Sequence, residues 1–113
     1  MATKYGAYAG KVLLLNLTDQ SYREYPLNDA DRKTFIGGKI LAARIISDFI
    51  SGPIDPLGID NILVITTGPL SNTNAPSSSR FNISTISPLT GILTSSNCGG
   101  NFGIRLKKAG YDG

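Results

Sequence analysis

The first part of the chain alternates short apolar runs with polar turns. Residues 8–17 contain the apolar run VLLL, and residues 21–25, SYREY, alternate large and charged side chains. The Thr-Asp-Gln sequence between them is typical of a turn. These segments are therefore predicted to form a β-hairpin that Pro26 ends.

A helical pattern follows the hairpin. Asn28 or Asp29 can cap a helix, and Asp31 falls in the first turn, where negative charge is favourable. Apolar residues then recur at helical spacing and predict a buried stripe. The stripe comprises Ile36, Ile40, Ala43, Ile46 and Ile50, widened by Leu41, Ile45 and Phe49. Because Gly37 and Gly38 interrupt the pattern, we expect either a broken helix or close backbone packing there.

The second half of the chain is predicted to be rich in β-structure. The apolar run in NILVITTG, residues 61–68, is typical of a buried strand. Residues 68–79 show no apolar period and predict a long loop, which in a compact domain is often functional. Strands are expected at about 80–87 and 90–97, followed by a short helix entered through glycine. The prediction is a single α+β domain over residues 1–113, β-rich with mixed or antiparallel strands and one main helix.

The strand that begins near position 80 alternates in character. Side chains on one face are mainly apolar, and those on the other face are polar, which is typical of a half-buried strand. The apolar face carries Phe81, Ile83 and Thr85, and the polar face carries Arg80, Asn82 and Ser84.

A proline turn predicts which residues of the two strands lie opposite each other. Residues 87–90 read Ser-Pro-Leu-Thr, with proline at the second position of the turn. A tight turn there places Arg80 opposite Asn97, and a bulge at Gly91 would move the partner to Cys98. The two ends of the strand pair are therefore expected to meet.

This meeting point has the features of an anion site. Gly99 and Gly100 let the backbone approach a ligand closely and lead into a helix whose first N–H groups attract anions. A neighbouring guanidinium supplies two parallel donors to a phosphate. The residues predict an anion pocket formed by Arg80, the backbone of residues 97–100 and the serine-rich loop. The alternative is an ordinary strand pair, since Gly-Gly helix entries are common and many arginines make only surface contacts.

Composition narrows the available chemistry. The 113 residues suffice for one modest domain. Eleven Lys and Arg residues against eight Asp and Glu residues give a net charge of +3, but the chain has no basic run of the kind found in nucleic-acid-binding proteins. With no histidine, no Ser-His or Cys-His pair can form, and one cysteine cannot ligate an iron–sulfur cluster. The apolar runs are too short to span a membrane, and no signal-peptide pattern begins the chain, so a cytoplasmic setting is expected.

Residues 68–112 resemble a known family. They read GPLSNTNAPSSSRFNISTISPLTGILTSSNCGGNFGIRLKKAGYD. Gly-Pro-Leu, Ala-Pro, an arginine opening a strand, Ser-Pro-Leu-Thr-Gly, Gly-Gly, Phe-Gly and Ala-Gly-Tyr-Asp follow in order and at matching spacing. This arrangement is similar to the amino-terminal domain of the tungsten-containing aldehyde:ferredoxin oxidoreductases. Weaker similarity upstream extends the resemblance over essentially the whole chain.

The resemblance implies part of a two-sheet domain beneath a bis-pterin cofactor of the molybdopterin type that holds tungsten or molybdenum. The family oxidises aldehydes to carboxylic acids and passes electrons through a 4Fe-4S cluster to ferredoxin. By motif position, Arg80 is similar to the family arginine beside the cofactor. Asn97 is similar to the asparagine whose backbone carbonyl binds the magnesium that bridges the pterin phosphates. Cys98, Gly99 and Gly100 would line the same turn as part of the cofactor-binding site.

The chain departs from the family pattern in two respects. Cys98 stands where the family has serine, and we interpret it as a small buried side chain rather than a metal ligand. The cluster cysteines are expected only in a further part of the polypeptide, so this chain alone is not expected to be catalytically complete. The alternative is a stand-alone, non-catalytic domain that binds an anion or a partner. An unfinished sheet would expose a strand edge and favour self-association.

Three further features have ordinary structural interpretations. Gly37, Gly38 and Lys39 lack the spacing of a P-loop, so a packing or helix-break role is favoured. Lys107 and Lys108 are interpreted as a solvated helix end, favourable to the dipole. Four tyrosines beside strands are interpreted as packing residues: Tyr5, Tyr8, Tyr22 and Tyr25.

Overall fold

The computed structural model describes residues 3–113, which form two antiparallel sheets and three helices. The strands are β1 (Val12–Asn16), β2 (Ser21–Tyr25), β3 (Val64–Thr67), β4 (Phe81–Ile86) and β5 (Leu93–Cys98). The helices are α1 (Asp29–Phe35), α2 (Gly38–Phe49) and α3 (Phe102–Lys108). β1 pairs with β2, and the second sheet has the order β3-β4-β5. The predicted α+β class with a β-rich, two-sheet arrangement is confirmed.

The first hairpin and the first helix cap form as the sequence predicts. Val12 lies opposite Tyr25 at the base of the β1–β2 pair. The side-chain oxygen of Asn28 accepts a hydrogen bond of 2.8 Å from the Asp31 N–H, which satisfies a backbone donor in the first turn of α1. The end of the hairpin and the start of the helix are therefore defined by local contacts.

The break at the two glycines combines both expected alternatives. α1 ends at Phe35 and α2 begins at Gly38, so the helix is broken. A Cβ atom added at Gly37 would lie 2.7 Å from the carbonyl oxygen of Thr67, closer than real Cβ contacts allow. The α1–α2 junction therefore packs directly against the backbone of β3.

The buried face of α2 differs from the predicted stripe. Ile36, Ile40 and Phe49 are exposed. The break changes the helical phase, so the stripe cannot continue from one helix to the next. The α2 residues that enter the core are Leu41, Ala42, Ile45 and Ile46. They pack with Val12, Tyr25 and Leu27 from the hairpin region and with Val64 from β3.

β4 and β5 are joined by a longer loop than the sequence predicts. The Gly91 N–H donates to the Ser87 carbonyl oxygen. The Ser87 N–H donates to the Ile92 carbonyl oxygen, so four residues rather than two separate the last facing pair. Gly91 has φ 69°, a value that other residues rarely adopt, which permits this turn. The predicted register is therefore wrong by two residues: Asn97 lies opposite Asn82 and not opposite Arg80.

The polar face of β4 is the more deeply buried face. Asn82 and Ser84 are buried beneath α2, and the apolar residues that alternate with them are only partly buried. The Ser84 hydroxyl donates to the Asn82 side-chain oxygen at 2.5 Å. The Thr66 hydroxyl donates to the Gly38 carbonyl oxygen at 2.8 Å. Burial of these groups is tolerated because they have hydrogen-bond partners.

A buried ion pair holds the segment that follows α3. The Asp112 carboxylate accepts hydrogen bonds of 2.9 Å from the Ala9 and Gly10 N–H groups and from the Lys107 ammonium. Lys107 is therefore buried, and its interpretation as a solvated helix end is wrong. The neighbouring Lys108 is exposed, as expected.

The same segment connects the two sheets. The Thr67 N–H of β3 donates to the Asp112 carbonyl oxygen at 2.9 Å. The Leu13 N–H of β1 donates to the Gly113 carbonyl oxygen, also at 2.9 Å. Backbone hydrogen bonds from both sheets thus converge on two consecutive residues, which keeps the hairpin beside the three-stranded sheet.

The tyrosines have different environments. Tyr25 belongs to the core, and the rings of Tyr5 and Tyr8 pack edge to face. Tyr22 is exposed, so its interpretation as a packing residue is wrong. None of the helices within residues 3–113 is long and apolar enough to cross a membrane.

Candidate functional site

A cleft of about 370 Å³ lies where the α1–α2 junction faces the start of β4 and the end of β5. Ten residues line it: Ile36, Gly37, Gly38, Thr66, Gly68, Pro69, Arg80, Phe81, Asn82 and Asn97. The structure thus brings together Arg80 and Asn97, two of the residues that the sequence analysis assigned to one site, Arg80 through its guanidinium and Asn97 through its backbone. The shift in register leaves them at the same end of the strand pair.

Arg80 is positioned by the strand that it precedes. Phe81 pairs with Cys98, so Arg80 lies level with Gly99 at the end of the ladder. The ring of Phe81 packs on that of Phe102 with 4.9 Å between ring centroids, which places the start of α3 against the same strand. The backbone at Arg80 is therefore held by both the sheet and α3.

The guanidinium of Arg80 has no counter-ion among the residues that the structure describes. It is exposed, and within residues 3–113 it makes no hydrogen bond or ion pair. Among the described residues that line the cleft, Arg80 is the one charged residue and none is a carboxylate. The cleft therefore presents a positive charge that a bound anion can pair with.

Asn97 is oriented by a chain of hydrogen bonds that begins in the sheet interior. Its side-chain oxygen accepts a bond of 2.9 Å from the Asn82 amide nitrogen, and Asn82 accepts one from Ser84. Asn82 and Ser84 are both buried. The carboxamide of Asn97 is thus held at the cleft by a hydrogen bond from a buried side chain.

The other predicted site residues lie at the edge of the cleft rather than in its lining. Side chains alternate along β5, so Cys98 faces the opposite side of the sheet from Asn97. Cys98 is exposed, and its interpretation as a small buried side chain is wrong. Gly99 and Gly100 are exposed, and no heavy atom lies within 4 Å of a Cβ added at either position. α3 has only seven residues, so its dipole adds little to the site.

The serine-rich loop reaches the cleft only through its first residues, Gly68 and Pro69. Its hydroxyl groups bond mainly within the loop. Ser71 donates to the Ser78 carbonyl oxygen at 2.8 Å, and Ser78 donates to the Ala75 carbonyl oxygen at 2.9 Å. These bonds keep the loop ordered and engage both hydroxyls away from the cleft.

The sequence analysis missed the wall formed by the α1–α2 junction. Ile36, Gly37 and Gly38 line the cleft, as does Thr66 from β3. The available signal was the glycine pair within a helical pattern, which was correctly interpreted as packing and a helix break. Only the tertiary structure shows that this packing places the junction opposite Arg80.

The described residues whose pKa values are shifted lie outside the cleft. Burial, together with a hydrogen bond to Asp48, raises the pKa of Tyr25 to about 12. The hydrogen bonds from Tyr25 and from Arg44 lower the pKa of the Asp48 carboxyl. None of these three residues lines the cleft. In the described part of the chain, no group of three or more His, Cys, Asp or Glu side chains is arranged to hold a metal ion.

Residues 12–113 match the family model described as aldehyde ferredoxin oxidoreductase, N-terminal domain. The chain is 38% identical over 105 residues to the tungsten-containing aldehyde ferredoxin oxidoreductase of Pyrococcus abyssi, covering 93% of this chain and 17% of that protein. It is 36% identical over 110 residues to the aliphatic sulfonate oxidoreductase, WOR-like subunit, of Pyrococcus furiosus, covering 95% of this chain and 17% of that protein.

A solved structure has a closely similar fold. The chain superposes with a TM-score of 0.88 and 34% identity on the active site complex BamBC of benzoyl coenzyme A reductase in complex with 1,5-dienoyl-CoA. The match covers 94% of this chain and 16% of that one. The chain thus spans less than a fifth of the length of the relatives that it matches.

Proposed function

The chain belongs to the aldehyde ferredoxin oxidoreductase family, in its N-terminal domain, and we propose that it binds the phosphates of a bis-pterin tungsten or molybdenum cofactor within an oxidoreductase. The observation that carries the proposal is the unpaired guanidinium of Arg80 in a cleft without carboxylates. The family match supports the cofactor, and the geometry of the cleft supports the anionic group that the cofactor would present.

Arg80 has the chemistry that a phosphate requires. A guanidinium offers parallel N–H donors whose spacing matches two phosphate oxygens. Such bonds are charge-assisted and are stronger than bonds between neutral groups. Because Arg80 has no partner within residues 3–113, binding a phosphate would not require an ion pair among these residues to be broken.

Asn97 and the residues after it would hold the magnesium that accompanies the phosphates. Magnesium prefers oxygen ligands and commonly binds phosphate groups, so the Asn97 backbone carbonyl oxygen is a suitable ligand. Cys98, Gly99 and Gly100 continue the chain at this point. The space beside the two glycines lets their backbone approach a phosphate closely.

The bound cofactor would supply the redox chemistry that oxidises an aldehyde to a carboxylic acid. The residues of this chain bind and orient its phosphate end, and the pterin sulfurs, rather than this chain, would bind the metal. Electron transfer to ferredoxin through a 4Fe-4S cluster belongs to the remainder of the enzyme. In this proposal residues 1–113 form one domain of a cytoplasmic protein.

A second candidate is a stand-alone domain that binds another anion or a partner chain without catalysis. The unpaired Arg80 favours an anionic ligand but does not select the pterin phosphates over others. The two candidates differ in the coding region. An in-frame continuation that encodes cluster cysteines supports the oxidoreductase, and a natural stop codon after Gly113 supports the stand-alone domain.

The proposal predicts that Arg80→Ala lowers cofactor retention in the full-length protein while the fold stays intact. Loss of charge-assisted bonds worth about 1.5–3 kcal/mol weakens phosphate binding roughly ten- to a hundredfold. The measurement is tungsten and pterin content after extensive dialysis, with circular dichroism as the check on folding.

Arg23→Ala provides a matched control, because Arg23 is exposed on β2 and does not line the cleft. It removes the same charge and should leave the cofactor content unchanged. Unchanged tungsten and pterin content in Arg80→Ala, or equal losses in both variants, would contradict the role of Arg80.

A further inference from the structure

Ile36 adopts a backbone conformation that is unusual for a branched side chain. Its φ and ψ angles are 58° and −69°. The Gly37 N–H donates to the Phe35 carbonyl oxygen at 2.6 Å, which closes a three-residue turn around Ile36. This is a γ-turn with positive φ, a rare and strained form. For a β-branched residue, a positive φ is an outlier.

The hydrophobic core does not account for this residue. Ile36 is 56% exposed and lies outside the buried cluster. Glycine would adopt the same backbone angles without the steric penalty. The strain at Ile36 is therefore not offset by burial of its side chain.

The surrounding structure holds the strained turn in place. The Tyr8 hydroxyl donates to the Ile36 carbonyl oxygen at 2.6 Å, and the Ile36 N–H donates to the Arg32 carbonyl oxygen at 2.9 Å. On the other side, Thr66 donates to the Gly38 carbonyl oxygen. Strained conformations persist when their surroundings fix them, and they cluster at ligand-binding sites.

We propose that Ile36 is a ligand-binding residue of the cleft, held in a strained turn so that its side chain contacts the ligand. The same turn fixes Gly37 in the cleft wall, and Ile36 itself lines the cleft that contains Arg80. The ligand class is an anion that carries a flat or apolar group. The anionic end binds Arg80 and the uncharged part packs on Ile36. This inference rests on the proposed function, because it requires a ligand in this cleft.

Three substitutions in the 113-residue chain separate strain from ligand contact. Ile36→Gly removes both the strain and the side chain, whereas Ile36→Ala removes the side chain and keeps a Cβ at positive φ. Gln20→Gly is the matched control. Gln20 also has a positive φ, 57°, but it is exposed in the turn between β1 and β2 and does not line the cleft.

The probe is pterin-6-carboxylate, a fluorescent anion with a flat ring, titrated against each variant. Ile36→Gly should raise Tm by about 3–8 °C and weaken binding about four- to tenfold. Ile36→Ala should weaken binding similarly without raising Tm. Gln20→Gly should raise Tm and leave binding unchanged.

The outcomes separate this inference from the proposed function. If Ile36→Gly is no more stable than Ile36→Ala, the strain is absent and the inference is overturned. If Ile36→Gly binds the probe as tightly as the unaltered chain while Arg80→Ala binds it weakly, the inference fails and the anion site stands. If the unaltered chain does not bind the probe, or Arg80→Ala binds it equally well, both are overturned.

Discussion

At the scale of the residue, Tyr25 couples the core to a charged group on α2. Its hydroxyl donates to the Asp48 carboxylate, which also accepts from Arg44. Burial is the main cause that raises the pKa of Tyr25 from 10.0 to about 12, and the Asp48 hydrogen bond adds to it. The folded chain therefore keeps the Tyr25 proton at a pH where the unfolded chain has lost it.

This shift predicts a loss of stability at alkaline pH. A raised pKa contributes stability that is complete below pH 10 and is lost as pH rises to about 12. Tyr25→Phe should remove this contribution, so its free energy of unfolding should fall less steeply over that interval. Urea denaturation at several pH values measures the slope.

Tyr22→Phe is the control, because Tyr22 is exposed on the same strand. The slope of this variant should match that of the unaltered chain. An unaltered slope in Tyr25→Phe would show that the tyrosine hydroxyl does not cause the alkaline loss.

Of the candidate site, the sequence brought Arg80 and Asn97 together but did not predict the wall opposite them. Arg80 and Asn97 share a cleft because a two-residue shift in register preserves which face a side chain occupies. The burial of Lys107 was not predictable from its neighbours in the chain. Its partner Asp112 and the backbone that Asp112 binds are brought to it only by the tertiary fold.

At the scale of the element, the α1–α2 junction depends on a glycine that touches another strand. A Cβ at Gly37 would lie 2.7 Å from the Thr67 carbonyl oxygen and 3.2 Å from the Gly68 Cα. Both contacts are with backbone, which cannot move aside as a flexible side chain does. The junction can therefore lie this close to β3 only because Gly37 has no side chain.

Gly37→Ala should consequently destabilise the chain by about 1–3 kcal/mol, because α2 must move away from β3. Chemical denaturation gives the free energy of unfolding. Gly52→Ala is the matched control, since a Cβ there meets no atom within 4 Å and its φ is ordinary. The control should be neutral or more stable by up to about 1 kcal/mol. Equal stability of the two variants would contradict the close contact.

Local signals predicted the elements, and long-range contacts decided how they join. The Asn28 cap and the glycine break could be predicted because each depends on adjacent residues. The exposed position of Ile40 could not be predicted, because it depends on the helical phase after the break. The register of β4 and β5 depended on the length of the loop at Gly91, which proline alone does not determine.

At the scale of the whole molecule, one edge of the three-stranded sheet lacks a neighbour. In the part of the chain that the structure describes, β5 pairs only with β4. The sequence of β5, LTSSNC, contains neither charge nor proline, the features that commonly protect an edge. Beside it, a groove of about 410 Å³ lies between β5 and α2. A strand of a second copy of the chain can pair with β5 at this edge, next to the groove.

The chain is therefore expected to self-associate as its concentration rises. Thr94→Lys places a charge near the start of β5 and should shift the equilibrium toward the monomer. Thr18→Lys, in the turn of the first hairpin, adds the same charge far along the chain and should have no such effect. Light scattering coupled to size-exclusion chromatography measures the mass. A monomer at all concentrations would contradict the expectation.

The overall architecture could be predicted because many motifs agreed in order and spacing. The resemblance over residues 68–112 is confirmed by the match of residues 12–113 to the same N-terminal domain. Motif order carries little information about loop length or about whether the polar or the apolar face of a strand is buried. For that reason the polar burial at Asn82 and Ser84 became apparent only once α2 was placed above β4.

The hydrogen bonds that the Asp112 carboxylate accepts from the Ala9 and Gly10 N–H groups form late during synthesis on the ribosome. They join residues that are 103 and 102 positions apart. At about 5–20 residues per second, roughly 5–20 s pass between the synthesis of the two partners. During that interval the nascent hairpin can pack against α2 and β3, but the segment that leads into it lacks the contacts with Asp112 that hold it in the finished domain.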